Sequence, residues 1–364
     1  MKNSALIAGL LLTITEWYVF FLISQLSFIV FPISLGALIF SLGFLGRVLG
    51  SMLFGHIGDK VSGKLSIVLV LIFIFFSSLI FLLSDSTPAI VFARILQSLS
   101  LGGEWGSVSI MVSDSLMNSR YRVFILSLIQ LAVPLGLILS TFMIFLLIEF
   151  FTTKLWNYTF LVAIILLIPS IVFLSKVNIK EQRATSKVPL SEVLRFYWRE
   201  LLLGIGIKVS ESADFYIFTS YIFALSSTSR ITSVLVLIAI LTQLFSMPLM
   251  GYLANNVGKE RIVLLGLLLF LVSPLMLERN ILLGEVMFAT ADSALYSPQS
   301  AILVDLFNKK NRFTGTNLTY QLASLLGGSS APLILAFTHL PIFYVIIPYV
   351  MVTFTSVILI KRGS

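Results

Sequence analysis

Five carboxylates, Glu16, Glu104, Glu211, Asp214 and Asp292, stand inside stretches of sequence that are otherwise apolar. Three cations, Arg47, Arg94 and Lys208, stand inside stretches of the same kind. One-to-one pairing leaves carboxylates over, and a surplus carboxylate in a poorly solvated place can take up a proton. These residue types point to proton-linked binding rather than to bond-making catalysis. Spacing groups them further. Lys208, Glu211 and Asp214 follow i, i+3, i+6 and share one helix face. Arg94, Gln97 and Glu104 share a face of another helix. At about 1.5 Å per residue, Arg94 and Glu104 lie about 15 Å apart along its axis, too far to pair. Tyr216 adds a hydroxyl that either donates to a substrate or packs. Glu285 shares a run with Asp292.

The chain has no cysteine, no HExxH pair, no clustered acidic metal site and no nucleotide-binding glycine loop. Disulfides and thiolate sites are excluded, and a metal centre, a membrane enzyme or an ATP-driven pump has no support. The expectation is a protein that is not an enzyme and needs no cofactor, its coupling ion being a proton.

Such charges need elements that carry them into an apolar medium. Of 364 residues, 58% are hydrophobic and 11% charged, with a net charge of +8 and a mean hydropathy of +1.05. Soluble domains carry roughly a quarter charged residues, so this composition predicts a membrane protein. A spanning helix needs about 20 mainly apolar residues. Twelve runs qualify, at about 5–28, 33–57, 65–84, 88–112, 123–148, 156–176, 200–225, 231–254, 262–277, 280–304, 314–338 and 341–360. The first is too long for a signal peptide and contains Glu16. Most of the 24 Lys and Arg residues fall in loops on one side, against Lys154, Arg230 and Arg279 on the other. That asymmetry places both termini in the cytoplasm. It reads the basic residues as topology signals, so no nucleic-acid partner is expected.

The charged runs are the first, second, fourth, seventh and tenth. Apart from Arg47, the charges occupy every third helix, and most lie near mid-span, where transporters place substrate and coupling-ion sites. The third, sixth, ninth and twelfth runs are uncharged inside and suit a lipid-facing position. Between spans six and seven, Leu190, Val193, Leu194 and Tyr197 follow a helical period after Pro189, which predicts a short amphipathic helix on the membrane surface.

The two halves echo each other. "GHIGDKVSGK" (55–64) and "GYLANNVGKE" (251–260) end the second and eighth runs. "EWY" (16–18) answers "ESADFY" (211–216), and "RVFILSLIQLA" (122–132) answers "RFTGTNLTYQLA" (312–323). Offsets that agree this well predict parallel repeats. The expected layout is all-α, with twelve transmembrane helices in two six-helix halves, 1–176 and 200–364, joined by a linker at 177–199.

"GHIGDKVSGK" resembles the signature loop of the major facilitator superfamily. "EWYVFFLI", "GFLGRVLGSMLFGHIGD", "ARILQSLSLGGEWGSVSIM", "PLGLILS", "ALYSPQSAILVDLF" and "RFTGTNLTYQLASLLGGSSAP" are similar to its metabolite:proton symporter family. The resemblance runs in order along nearly the whole chain. It implies alternating access and proton-driven uptake of a small carboxylate or zwitterion, by a multi-pass cell-membrane protein that is a monomer. Its gating residues would be Gly55, Asp59, Lys60, Gly63 and Lys64, with Gly251, Gly258 and Lys259 in the second half. Departures are Val19 where the family has aspartate, Ser62 where it has glycine, and Asn255 in place of an acid. Glu260 also interrupts the basic run there, and these last two departures predict a weaker charge latch in that half. A proton-coupled efflux antiporter and a solute sensor that does not transport are the alternatives.

Overall fold

The computed structural model describes residues 2–177, 188–222, 230–338 and 340–363. The described residues are almost entirely helical, and each expected run has a helix on it. The first four are α1 (Lys2–Ile29), α2 (Ile33–Lys60), α3 (Gly63–Leu83) and α4 (Thr87–Ser115). The fifth run is α5 (Arg122–Gln130) followed by α6 (Ala132–Phe150), and the sixth is a 3₁₀ segment (Thr153–Phe160) leading into α7 (Leu161–Ser175). The break at Leu131 follows from Pro134, which has no N–H to give to the carbonyl of Gln130.

The short α8 (Pro189–Phe196) stands where the linker helix is expected. Lys180, Arg183 and Lys187 of that linker lie outside the described residues. The seventh run is α9 (Trp198–Tyr216) with a π turn over Ile217–Tyr221. Next come α10 (Arg230–Val257) and α11 (Lys259–Arg279), then α12 (Ile281–Tyr296) and α13 (Gln299–Leu306), which part at Pro298. The chain closes with α14 (Arg312–Thr338) and α15 (Ile342–Gly363).

The signature stretch is less of a loop than its sequence suggests. Residues 55–60 are the last turns of α2, and Gly63 and Lys64 already begin α3. Only Val61 and Ser62 lie outside, with the Ser62 hydroxyl capping the Leu65 N–H at 3.4 Å. His56, expected in the loop, is a helix residue. In the second half Gly258 alone separates α10 from α11. Its φ of +116° suits glycine and strains any other residue.

Among the described residues, nine segments are long and apolar enough to cross a membrane. The expected runs that fail are the fourth, seventh and tenth, which carry Arg94 and Glu104, Lys208 to Asp214, and Glu285 with Asp292. The fourth and seventh are too polar because of the charge they bury, and the tenth fails because α12 is only 16 residues long. The apolar window of α1 is 72% buried, against 33% for the sixth run and for α15. Those two present the most open apolar surface, as a lipid-facing position requires. The third run (44%) and the ninth (39%) are no more open than the second (39%).

The chain packs as two compact units. One holds Met1–Met117, Ala132–Phe196 and Phe307–Leu318, and the other holds Asn118–Leu131, Tyr197–Leu306 and Thr319–Ser364.

Candidate functional site

In the first unit, α2 and α4 meet backbone to backbone. A Cβ on Gly50 would sit 2.0 Å from the Leu99 carbonyl, and one on Gly102 would sit 2.1 Å from the Arg47 carbonyl. Small residues at such spacing let membrane helices approach this closely. The contact fixes the polar residues of α1, α2 and α4 in one buried group. Glu16, Arg94, Gln97 and Glu104 are fully buried, and Arg47 is 2% exposed.

Hydroxyl and carboxyl groups of α1 and α4 pair at two places. Thr13 pairs with Glu104 Oε1, and Ser100 pairs with Glu16 Oε1. The second oxygen of each glutamate, Oε2, has no hydrogen-bond partner among the described residues. The arginines are held differently. The Arg47 guanidinium lies 5.2 Å from the Trp17 ring, 5.2 Å from Phe20 and 5.8 Å from Phe44. Arg94 lies 5.0 Å from the same Phe20 ring. It donates to the Ile39 carbonyl at 2.9 Å, to Gln97 Oε1 at 2.7 Å and to Ser24 Oγ at 2.9 Å. Arg94 therefore braces α1, α2 and α4, while Arg47 presents a planar cation within an aromatic cage.

The second unit buries its own group. Lys208 forms an ion pair with Glu211 one turn away. Its ammonium also lies 4.7 Å from the Tyr296 ring and 4.3 Å from the Tyr320 ring. The two tyrosine hydroxyls are 3.0 Å apart. Gln243 donates to Asp292 Oδ2 at 2.6 Å. Both oxygens of Asp214, both of Glu285 and Oδ1 of Asp292 are buried without a hydrogen-bond partner among the described residues. Tyr216 stands apart in character. It is half-buried, with its ring over Gly328, where a Cβ would come within 2.6 Å.

The signature residues act at helix starts. Asp59 accepts from the backbone N–H of Phe313 at 2.9 Å and of Thr314 at 2.7 Å, the first turn of α14. A carboxylate there meets the positive end of the helix. The Phe313 ring rests on Gly58 and Gly63, where a Cβ would come within 2.6 and 2.3 Å. Arg312 grips both oxygens of Asp114 at 2.8 and 2.7 Å. Lys60 and Lys64 are exposed. In the second unit Asn255 takes the part of Asp59. It accepts from the N–H of Phe124, near the start of α5, at 3.5 Å and donates to the Arg120 carbonyl at 3.0 Å. Gly251 packs on the Ser127 side chain.

The chain has counterparts among known proteins. The profile of the Major Facilitator Superfamily matches residues 5–229, more than half of the chain. The chain belongs to the Major Facilitator Superfamily. It is a membrane transporter. It is similar to the inner membrane metabolite transport protein YhjE of Escherichia coli, with 28% identity over 92% of this chain and 87% of the relative. It is also similar to the shikimate transporter of E. coli, with 25% identity over 82% and 76%. The solved structure of the proton:xylose symporter XylE shares its fold, with a TM-score of 0.73 at 14% identity, covering 99% of this chain and 94% of that one.

Several residues of this superfamily member escaped the sequence reading. Thr13 and Ser100 sit three and four positions before Glu16 and Glu104, so helical spacing could have pointed to them. Tyr320, Gln243 and Arg312 come from helices far along the chain and carry no such signal. Glu285, visible in its run, belongs with Asp214 and Asp292 as a buried carboxylate without a hydrogen-bond partner.

Asp305 adds ion pairs to the second half of this superfamily member, as Asp114 with Arg312 does to the first. Asn255 is indeed a neutral substitute with longer contacts than Asp59. Asp305, however, binds Arg122 at 2.7 Å and Lys259 at 2.8 Å. Burial opposes the charge of Asp305, but the hydrogen bonds and charges of Arg122 and Lys259 outweigh it and hold the carboxyl below its ordinary value of 3.8. The side chain is 41% exposed, so screening limits the gain to about 1 kcal/mol. A depressed value stabilises the fold above the ordinary aspartate range, and that stability is lost as pH falls through the lower folded value. Asp305→Asn is expected to unfold at a lower temperature than the native protein in detergent at neutral pH. The difference should close only below about pH 4. A gap that persists unchanged in acid would show that the ion pairs are not its source.

Proposed function

We propose that this transporter takes up a small organic carboxylate or zwitterionic metabolite together with protons, by alternating access, as a monomer with both termini in the cytoplasm. The observation that carries this reading is the pair of buried glutamates, Glu16 and Glu104, each with one oxygen that has no hydrogen-bond partner among the described residues. A carboxylate buried without compensation is costly, and neutralisation by a proton removes that cost. A proton taken up from one side and released to the other is what coupling needs. Arg47 supplies the matching group for substrate, since a guanidinium fork can bind a carboxylate through two parallel hydrogen bonds. The caged Lys208 offers a second cation in the other unit. Similarity to a transporter of shikimate, itself a carboxylic acid, supports this substrate class. Asp59, Lys60 and Lys64 with Gly55 and Gly63, and Gly251, Gly258 and Lys259, would hold the gating ends of the helices.

The test is uptake into proteoliposomes of purified protein with an imposed pH gradient. The substrates would be radiolabelled shikimate, 2-oxoglutarate, citrate, proline and glycine betaine. At least one should accumulate against its own gradient when the outside is acidic, and a protonophore should abolish the accumulation. Export driven by the same gradient would replace symport with antiport. Equilibration that ignores the gradient would remove proton coupling.

A further inference from the structure

Thr13 and Ser100 each face more acceptors than one hydroxyl can serve. A serine or threonine hydroxyl carries a single hydrogen and two lone pairs. Thr13 Oγ1 lies 2.8 Å from the Gly9 carbonyl and also meets Glu104 Oε1. Ser100 Oγ lies 2.8 Å from the Val70 carbonyl and also meets Glu16 Oε1. A carbonyl oxygen can only accept. A hydroxyl that donates to it has no hydrogen left for the carboxyl group. The carboxyl must then be the donor, which it can be only when protonated. When the carboxyl is ionised, the hydroxyl hydrogen turns to it and leaves the carbonyl.

We propose that Ser100 and Thr13 are positioning residues that convert the protonation of Glu16 and Glu104 into a change of helix contacts. The inference rests on the proton-coupled reading above. Ser100 has the larger consequence, because its two acceptors lie on different helices. With Glu16 protonated, the acid donates to Ser100 Oγ and the Ser100 hydrogen goes to Val70, tying α4 to α3. With Glu16 ionised, the same hydrogen goes to the carboxylate. The α1–α4 bond becomes charge-assisted and stronger, and the tie to α3 is released. One proton thus moves a fixed hydrogen bond from one helix pair to another. Thr13 works on a smaller scale, since Gly9 belongs to its own helix. Its switch changes only the strength of the α1–α4 bond.

The surroundings suit such a device. Thr13 and Ser100 are 1% and 0% exposed, and both glutamates are fully buried. The charged group that acts on Glu16 is Glu104 on α4; the cations of the same cluster, Arg94 on α4 and Arg47 on α2, lie against the Phe20 and Trp17 rings. The helices α3, α6 and α7 bring no ionisable side chain to this depth, their only charges being Lys64 and Glu149 near helix ends.

The experiment is infrared difference spectroscopy of the full-length protein in lipid, between acid and alkaline pH. Glu16→Gln and Glu104→Gln identify the carboxylic-acid bands of the two glutamates by their loss. Ser100→Ala removes one hydroxyl, and Thr13→Val removes the other while keeping its shape. Ser100→Ala is expected to shift the Glu16 band, and Thr13→Val the Glu104 band, each leaving the other band in place. If Ser100→Ala fails to fold, Thr13→Val carries the test. Bands that stay put in both variants, or no protonated band from either glutamate at any pH, would overturn the proposal. Transport separates the two levels of inference. Shifted bands without gradient-driven uptake would sink the coupling reading alone, and gradient-driven uptake with unmoved bands would sink the switch alone.

Discussion

Glu104→Gln is expected to abolish accumulation of substrate driven by a pH gradient while leaving substrate exchange at equal pH within about two-fold of native. The amide has the shape of the protonated acid and can donate to Thr13 Oγ1, so the cross-link between α1 and α4 survives. What is lost is the ability to become charged. A gradient of one pH unit is worth about 1.4 kcal/mol per proton, roughly a ten-fold accumulation ratio. A variant fixed in the neutral state can still carry substrate between its two orientations but cannot draw on that energy. Glu16→Gln provides the comparison, since Glu16 lies within electrostatic reach of Glu104. Loss of accumulation in both variants would mean that the two glutamates act together. Full gradient-driven accumulation in Glu104→Gln would make Glu104 a partner for Thr13 and nothing more.

The sequence made the helices and the buried charges readable for one physical reason. A bilayer penalises charge so strongly that Glu16 or Asp292 inside an apolar run stands out at once. The same charges explain why the fourth and seventh runs are not apolar enough to stand out as spans. Partners across helices were harder to see. The aromatic cage of Lys208 joins Tyr296 of α12 and Tyr320 of α14, and no local period links residues that far apart. Asn255 illustrates the limit from the other side. Its loss of charge was plain, but the carboxylate that pairs with Lys259 and Arg122, Asp305, lies 50 residues further on, just past the apolar run. Only the structure shows that Gly102 lies on the backbone of Arg47 itself.

That contact leads to the second large effect. Gly102→Ala is expected to lose both accumulation and exchange, in contrast to Glu104→Gln two residues away. A Cβ on Gly102 would sit 2.1 Å from the Arg47 carbonyl oxygen, whereas unstrained non-bonded atoms keep about 3.5 Å. The obstacle is backbone on both sides, so no side-chain rotation relieves it, and α2 must move away from α4 by about 1 Å. Overpacking of this kind costs about 1–3 kcal/mol, which should appear as a lower unfolding temperature in detergent. The shift also carries the Arg47 guanidinium away from Trp17, Phe20 and Phe44, and so removes the group offered to the substrate carboxylate. Leu45→Ala is the control, because Leu45 lies on the same helix but is 57% exposed. Purified Gly102→Ala that unfolds at the native temperature and exchanges substrate at the native rate would show that α2 and α4 are not in backbone contact. Loss of exchange in protein that remains folded would place Arg47, through Gly102, in the binding step. The proton step would then belong to Glu104, two residues further along the same helix.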